Sequence, residues 1–309
     1  MDKSPNSPVT SKRNLKTPHI YCMSTKKAIR NLVYFIVLLQ VGCSTTSASS
    51  PKHPVRSAQT PVSERMPKES FFKFQVAQAV EACMNLKDDK RKCTVGVVKH
   101  TSSGAFIGIS EVNNDIAYGL TAGHSCEDKF TKKSSSTVAF KVVSADYVTL
   151  MFNGKLRSAE IISYDMKSDL CLLRISGFKG NRPPFLKIAK NFPKWGEKVY
   201  NMAAPRGIFN PGMLLLFDGY YSGIGFDNYM FFTLPTKPGS SGSPIMNAKG
   251  ELVSMIFAGF PAMENIGLGS NLTAINTFVT NKIALSEADL WAKKNLNQNK
   301  TETTTTEPK

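Results

Sequence analysis

The stretch KPGSSGSP, residues 237–244, decides between two interpretations of this chain. Clusters of glycine, serine and proline usually form surface turns, so local composition alone favours a plain turn. The other interpretation is a rigid loop, because Gly239 permits backbone dihedrals that a side chain forbids and Pro238 restricts the approach. The N–H groups of Gly239, Ser240 and Ser241 would then converge on one point, as the binding of an oxyanion requires.

Two other motifs favour the rigid loop. His124 lies in GLTAGHSC, directly after an apolar run, so its imidazole would emerge where a buried strand meets a loop. Asp169 lies in YDMKSDLCLLRI, just before a strongly apolar run, where a carboxylate can accept an imidazole N–H. Hydrolysis of an amide by a serine needs a base, an acid that orients the base, and donors for the oxyanion. Each motif alone is more often structural, and it is their conjunction that indicates chemistry.

In this order and context the motifs resemble those of trypsin-like (chymotrypsin-fold) serine proteases, and most of all the HtrA/Deg-type protease domain. The resemblance rests on TAGH, the D-x-K-S-D-L run and PGSSGSP, and it extends over roughly residues 95–278. It implies a catalytic triad of His124, Asp169 and Ser241 and an oxyanion hole formed by the N–H groups of Gly239 and Ser241. It implies neither a metal nor an organic cofactor.

The sequence departs from the family at Ser240, where relatives usually carry Asp or Asn, and at Ser243, which replaces a frequent glycine. A helical segment and a polar tail follow the protease-like region, in place of the peptide-binding PDZ module of many HtrA-type proteins.

The resemblance also indicates a substrate pocket walled by the segments 234–236, 257–259 and 269–271. The predicted lining residues are Pro235, Phe257, Ala258, Gly259, Gly269 and Ser270. Because none of them is charged, the sequence predicts that the enzyme accepts a small or medium apolar side chain before the cleaved bond.

Short apolar runs bounded by turn residues predict an all-β fold. Two sets of about six runs, over residues 93–180 and 185–272, indicate two six-stranded antiparallel β-barrels. Two helices are also predicted: an amphipathic helix over residues 71–92, packed on the domain, and a C-terminal helix over residues 273–295. The first prediction rests on helical spacing of apolar side chains, namely Phe72, Val76, Ala79, Val80 and Cys83. Residues 296–309 are predicted to be a disordered polar tail.

The N-terminal part predicts export. Basic residues precede NLVYFIVLLQVG, an apolar stretch that suits a signal peptide and is too short for an ordinary spanning helix. The sequence LLQVGCSTTSAS resembles a bacterial lipoprotein signal, which implies lipidation of Cys43 as the first mature residue, although Gln40 departs from the pattern. We therefore expect a membrane-tethered protein of the cell envelope or periplasm, with residues 1–43 as signal and residues 44–70 as a flexible linker. Simple secretion is the alternative.

The net charge of +16 does not indicate nucleic-acid binding. Residues 1–92 carry sixteen Lys and Arg against six Asp and Glu, whereas residues 93–272 carry eighteen against thirteen. Most of the excess therefore precedes the predicted barrels, and no motif that reads nucleic acid accompanies it.

The cysteines permit disulfides in an exported protein, but a sequence does not assign their pairing. Cys83 and Cys93 flank a short basic turn and are the preferred pair, and Cys126 competes for either partner. Cys171, inside an apolar run, is interpreted as a core residue. A zinc site at His124 and Cys126 is a poor alternative, because the spacing lacks a second ligand pair.

The sequence predicts an exported serine endopeptidase that hydrolyses peptide bonds of proteins or peptides through an acyl-enzyme intermediate. The alternative is a catalytically inactive, protease-like lipoprotein for binding or adhesion. The joint presence of His124, Asp169 and Ser241 speaks against this alternative, because a binding protein has no chemical need for all three.

Overall fold

The computed structural model describes residues 62–85, 91–128, 130, 135, 138–260 and 262–304. In chain order the elements are α1 (Val62–Arg65), β1 (Phe71–Asn85), β2 (Arg91–Ile109), β3 (Ile116–Ala122), β4 (Val138–Met151), β5 (Leu156–Asp165), β6 (Leu170–Ser176), β7 (Lys198–Ala203), β8 (Leu215–Ile224), β9 (Met230–Phe232), β10 (Pro244–Met246), β11 (Leu252–Phe260), β12 (Met263–Gly269) and α2 (Leu272–Thr304). Short 3-10 turns lie between some of these elements, and one of them, Gly123–Ser125, directly follows β3.

The strands form two closed antiparallel barrels. The first has the order β1-β2-β3-β6-β5-β4, and the second has the order β10-β11-β12-β9-β8-β7. The prediction of two six-stranded barrels in a chymotrypsin-like architecture is thus confirmed. The first barrel begins at Phe71 rather than near residue 93.

The helix predicted for residues 71–92 is wrong, because the described parts of this segment are strand β1 and the start of β2. Alternate side chains of β1 are buried, from Phe72 and Phe74 to Val76, Gln78 and Val80, which is the period of a strand. The polar Gln78 breaks the apolar alternation in the sequence. It is nevertheless buried in the structure, where its side chain hydrogen-bonds to Tyr147.

A shared hydrophobic core joins the barrels. The first barrel contributes Leu120 and Leu172, the second contributes Met202 and Met255, and α2 contributes Ile275. Separate apolar clusters fill the interior of each barrel. The three predicted triad residues, His124, Asp169 and Ser241, lie in segments that connect the strands of these barrels.

The predicted C-terminal helix is confirmed, but it extends to Thr304 and includes part of the predicted polar tail. No glycine or proline occurs between Leu272 and Thr304 to end it. None of the helices that the structure describes is long and apolar enough to cross a membrane.

Polar contacts fix α2 to the first barrel. Tyr118 Oη donates to Glu287, which also accepts the N–H groups of Glu111 and Val112 at 3.0 and 3.1 Å. Burial, together with the hydrogen bond to Glu287, raises the pKa of Tyr118 to about 12. Burial alone would raise the pKa of Glu287, but the hydrogen bonds that Glu287 accepts outweigh this effect and lower its pKa below the ordinary value.

The signal segment, Cys43 and most of the predicted linker lie outside the described residues. The linker prediction is wrong at its end, because residues 62–70 belong to the folded domain. Met66 is buried in the shared core, since an apolar side chain there gains by leaving water.

We expect Glu287→Ala to destabilise the protein by about 1 kcal/mol at pH 7, because the hydroxyl of Tyr118 keeps only its contact with Ser286 and the N–H groups of Glu111 and Val112 lose their acceptor. Urea denaturation measures the change, and Glu111→Ala, which removes an exposed carboxylate next to the same contact, is the matched control. Because the pKa of Glu287 is lower in the folded protein than in the unfolded chain, its carboxylate stabilises the fold above the unfolded pKa. This stabilisation is lost as pH falls through the folded pKa. A difference from wild type that stays constant down to strongly acidic pH would contradict this account.

Candidate active site

The structure brings His124 and Asp169 together. His124 Nδ1 lies 2.7 Å from Asp169 Oδ2, and the backbone N–H of His124 donates to Asp169 Oδ1 at 2.6 Å. A carboxylate only accepts hydrogen bonds, so this contact places the imidazole proton on Nδ1 and leaves Nε2 as an acceptor. The side chain of Asp169 is 12% exposed and that of His124 is 28% exposed, so solvent reaches the histidine more than its partner.

The local backbone explains this geometry. A Cβ atom on Gly123 would lie 2.9 Å from Asp169 Oδ1, so only glycine allows the two segments to approach so closely. Asp169 has φ of 51° and follows a turn that Asp165 stabilises. The carboxylate of Asp165 accepts the hydroxyl of Ser168 and the N–H groups of Lys167 and Ser168. Burial opposes the ionised form of Asp165, but these hydrogen bonds lower its pKa below the ordinary value.

The stretch 237–244 is a rigid loop with two glycines in the left-handed region. Gly239 has φ of 96° and Gly242 has φ of 79°. The N–H of Ser240 donates to Lys237 O at 2.9 Å, and that of Gly242 donates to Ile256 O at 2.6 Å. Among the described residues, the N–H groups of Gly239 and Ser241 find no acceptor. Two free donors therefore flank Ser240, as the predicted oxyanion hole requires.

Ser103 of β2 ties this loop to the first barrel. Its N–H donates to Ser241 O at 2.8 Å and its hydroxyl donates to Gly239 O at 2.9 Å. The same hydroxyl accepts the N–H of Ala204 at 3.0 Å. The loop also passes close to β2 at Gly242, because a Cβ atom on this residue would lie 2.2 Å from Ser103 O. Sequence reasoning did not single out Ser103, which stands in an ordinary strand pattern.

The hydroxyl of Ser241 donates to the carbonyl of Phe257 at 3.3 Å. Within the described part of the chain, it makes no hydrogen bond to His124. Hydrogen bonds between a nucleophile and its base are often long or poorly aligned before substrate binds, so the contact with Phe257 is compatible with the predicted roles of Ser241 and His124.

A cavity of about 330 Å³ opens beside Ser241. Of the six predicted pocket residues, Ala258 and Gly259 line it. The other four do not: Pro235, Phe257, Gly269 and Ser270. Ser270 is fully buried, with its hydroxyl directed to Met255 O, and a Cβ atom on Gly269 would meet Ser254. Both therefore pack into the second barrel rather than face the cavity.

The cavity also contains charges that sequence reasoning missed. Lys237 and Glu264 both line it, and Lys237 Nζ lies 2.6 Å from Glu264 Oε1. The prediction of an uncharged lining is therefore wrong. Glu264 lies between the predicted segments 257–259 and 269–271, and it reaches the cavity because β12 turns back beside β11.

Phe257 contributes to the site from outside the cavity. Its ring packs on the ring of Tyr229, with centroids 4.7 Å apart, and its carbonyl accepts from Ser241. Burial and the nearby carboxylates of Asp227, Asp169 and Asp165 raise the pKa of Tyr229. A larger cavity of about 1210 Å³ lies between Tyr229, the turn at residues 164–168 and the start of α2, and its lining excludes His124, Asp169 and Ser241.

Two disulfides are present among the described residues: Cys83 with Cys93, and Cys126 with Cys171. Cys171 is thus a disulfide partner as well as the buried residue that the sequence indicated. Cys126 stands two residues after His124, and Cys171 stands two residues after Asp169. This bond therefore joins the two segments that carry His124 and Asp169, and the equal spacing is the signal that could have revealed it.

Comparison with known proteins identifies the family. Residues 103–255 match the model of the trypsin-like peptidase domain. This part of the chain, from β2 to β11, therefore belongs to the trypsin-like peptidases, and the protein is a serine peptidase. No curated protein matches the chain.

Among solved structures, the serine endoprotease from Yersinia pestis matches with a TM-score of 0.49 and 19% sequence identity. The match covers 74% of this chain and 68% of that structure. The narrower resemblance to HtrA/Deg-type proteases stays a prediction.

We expect the Cys126–Cys171 bond to support the site as well as the fold. In the chain-entropy model, removal of the Cys126–Cys171 bond, which closes a 45-residue loop, lowers the stability by about 4 kcal/mol. Removal of the Cys83–Cys93 bond, which closes a 10-residue loop, lowers it by about 3 kcal/mol. At a temperature where both double variants are folded, Cys126→Ala/Cys171→Ala should lower kcat/KM, whereas Cys83→Ala/Cys93→Ala should leave it near wild type. Denaturant titration and peptidase assays measure both effects, and equal losses of activity would contradict the prediction.

Proposed function

We propose that the protein is an endopeptidase that uses His124, Asp169 and Ser241 as a catalytic triad. The observation that carries this proposal is the pair of free N–H groups, of Gly239 and Ser241, on a loop held rigid by hydrogen bonds on both sides. Gly239 and Ser241 are half-buried, so a bound acceptor can reach their N–H groups, which the hydrogen-bonded backbone holds in place. An oxyanion that forms at the carbon attacked by Ser241 would satisfy both donors.

In the proposed reaction His124 Nε2 removes the proton from the hydroxyl of Ser241, which turns from the carbonyl of Phe257 toward the base. The serine oxygen attacks the carbonyl carbon of a peptide, and the N–H groups of Gly239 and Ser241 stabilise the oxyanion. His124 then protonates the leaving amine, and an acyl-enzyme remains. Water, deprotonated by His124, attacks this ester, and the protonated imidazole returns its proton to Ser241.

Asp169 has a distinct part in this scheme. Its two hydrogen bonds to His124, one to the ring and one to the backbone, fix both the tautomer and the orientation of the imidazole. The carboxylate also stabilises the imidazolium that forms when His124 accepts a proton. Neither effect requires Asp169 to change its own protonation.

A protease-like binding lipoprotein without activity is the competing function. The contact between Ser241 and Phe257, rather than His124, is the one observation that favours it. A binding function does not account for the paired His124 and Asp169 beside a loop with two free donors.

Kinetics of peptide hydrolysis by the full chain tests the proposal. Ser241→Ala and His124→Ala should each abolish turnover above background, and Asp169→Asn should lower kcat by roughly 10³–10⁴-fold because the tautomer of His124 is no longer held. Ser176→Ala, an exposed serine at the end of β6, is the control and should retain wild-type activity. Full activity of Ser241→Ala would refute the proposed nucleophile.

We also propose that the protein is exported and tethered by a lipid on Cys43, as its sequence pattern indicates. Metabolic labelling of a bacterial host with a radioactive fatty acid should mark the wild-type chain and leave Cys43→Ser unlabelled, while Cys22→Ser remains labelled. Release of wild-type protein into the soluble fraction without label would instead support simple secretion.

A further inference from the structure

The cavity beside Ser241 contains a pair of opposite charges, Lys237 and Glu264. They approach it from different segments, since Lys237 belongs to the loop that carries Ser241 and Glu264 belongs to β12. The other lining residues are uncharged: Thr236, Pro238, Ser240, Ser241, Ile256, Ala258, Gly259 and Phe260. Any charge that this described lining presents to a substrate therefore comes from the ion pair.

The backbone holds the two charges next to each other. The N–H of Thr236 donates to Glu264 O at 3.3 Å, so the residue before Lys237 is bonded to the residue that carries the carboxylate. The hydrogen bond from Lys237 and its positive charge lower the pKa of Glu264 below the ordinary value. The carboxylate thus remains ionised at neutral pH and neutralises Lys237.

The ion pair is open to solvent and therefore exchangeable. The Glu264 side chain is 76% exposed and the Lys237 side chain is 38% exposed. Exposed ion pairs contribute little to stability, so one partner can be replaced without unfolding the domain. A charged substrate side chain that entered this cavity would have to compete with the partner already present.

We propose that Lys237 and Glu264 neutralise each other in this cavity, so that it offers no unpaired charge and the enzyme selects an uncharged side chain before the cleaved bond. This inference rests on the proposed function, because it assigns the cavity beside Ser241 to the residue that donates the scissile carbonyl. With both charges present, neither a basic nor an acidic side chain gains a free partner, and each still gives up part of its hydration. The sequence predicted a small or medium apolar side chain from an uncharged lining, whereas here an uncharged side chain is favoured because two charges cancel.

The proposal predicts that removal of either charge opens the pocket to one class of substrate. Lys237→Met leaves Glu264 alone and should increase kcat/KM for lysine relative to norleucine before the cleaved bond. Glu264→Gln leaves Lys237 alone and should increase kcat/KM for glutamate relative to glutamine. Each increase should be roughly two- to fivefold at low salt, because exposed charges interact weakly, and should shrink as ionic strength rises.

The test uses the full chain and four fluorogenic peptides that differ only at this position, with norleucine, lysine, glutamine or glutamate. The Lys237→Met/Glu264→Gln double variant should show the selectivity of wild type, and Lys237→Arg, which keeps the positive charge, should do the same. A matched control is the exposed Lys198–Asp218 ion pair, 2.7 Å long and outside the cavity, whose variants Lys198→Met and Asp218→Asn should not change selectivity.

The outcomes distinguish this inference from the proposed function. If wild type and all variants are labelled at Ser241 by a fluorophosphonate but share the same ratios, the ion pair does not set selectivity. A wild-type enzyme that prefers lysine to norleucine would equally overturn the inference. If folded protein is not labelled at all, the proposed function fails and the inference falls with it.

Discussion

The hydrogen bonds of Ser103 are the constraint on which the rest of the site depends. One residue of the first barrel donates to the carbonyls of Gly239 and Ser241 and accepts from Ala204 of the second barrel. These three bonds fix the loop that carries Ser241 relative to the barrel that carries His124 and Asp169. Because packed interiors resist small displacements, the shared apolar core beneath these bonds makes the boundary rigid.

The site is divided between the two barrels, and each half is fixed in its own way. His124 and Asp169 are held by two hydrogen bonds and by the disulfide two residues beyond each of them. Ser241 is held by backbone hydrogen bonds on a loop with two glycines at positive φ. These hydrogen bonds leave the N–H groups of Gly239 and Ser241 free where negative charge would develop.

Much of this architecture could be predicted from the sequence, because period-two patterns and turn residues act locally. The two barrels, the C-terminal helix and the pairing of His124 with Asp169 agree with that prediction. Strand β1 was mistaken for a helix, since Gln78 interrupts the apolar alternation and acquires its buried partner only in the fold. Ser103, Glu264 and the Cys126–Cys171 bond depend on contacts between segments far apart in the chain, which no local pattern encodes.

The difference between the predicted and the observed pocket has the same origin. Gly269 and Ser270 follow the family pattern in sequence, yet they pack into the second barrel. Glu264 is brought to the cavity by the pairing of β12 with β11, and its carboxylate forms an ion pair with Lys237 there. The lining of the cavity beside Ser241 is therefore the feature that the sequence alone describes least well.

The most direct test of the central claim is the reaction of the full chain with a fluorophosphonate, followed by peptide mapping by mass spectrometry. The account predicts one adduct, on Ser241, which is lost when His124 is replaced by alanine because the hydroxyl then has no base. A folded protein that forms no adduct, or forms it on another serine, would contradict the assignment of Ser241 as the nucleophile.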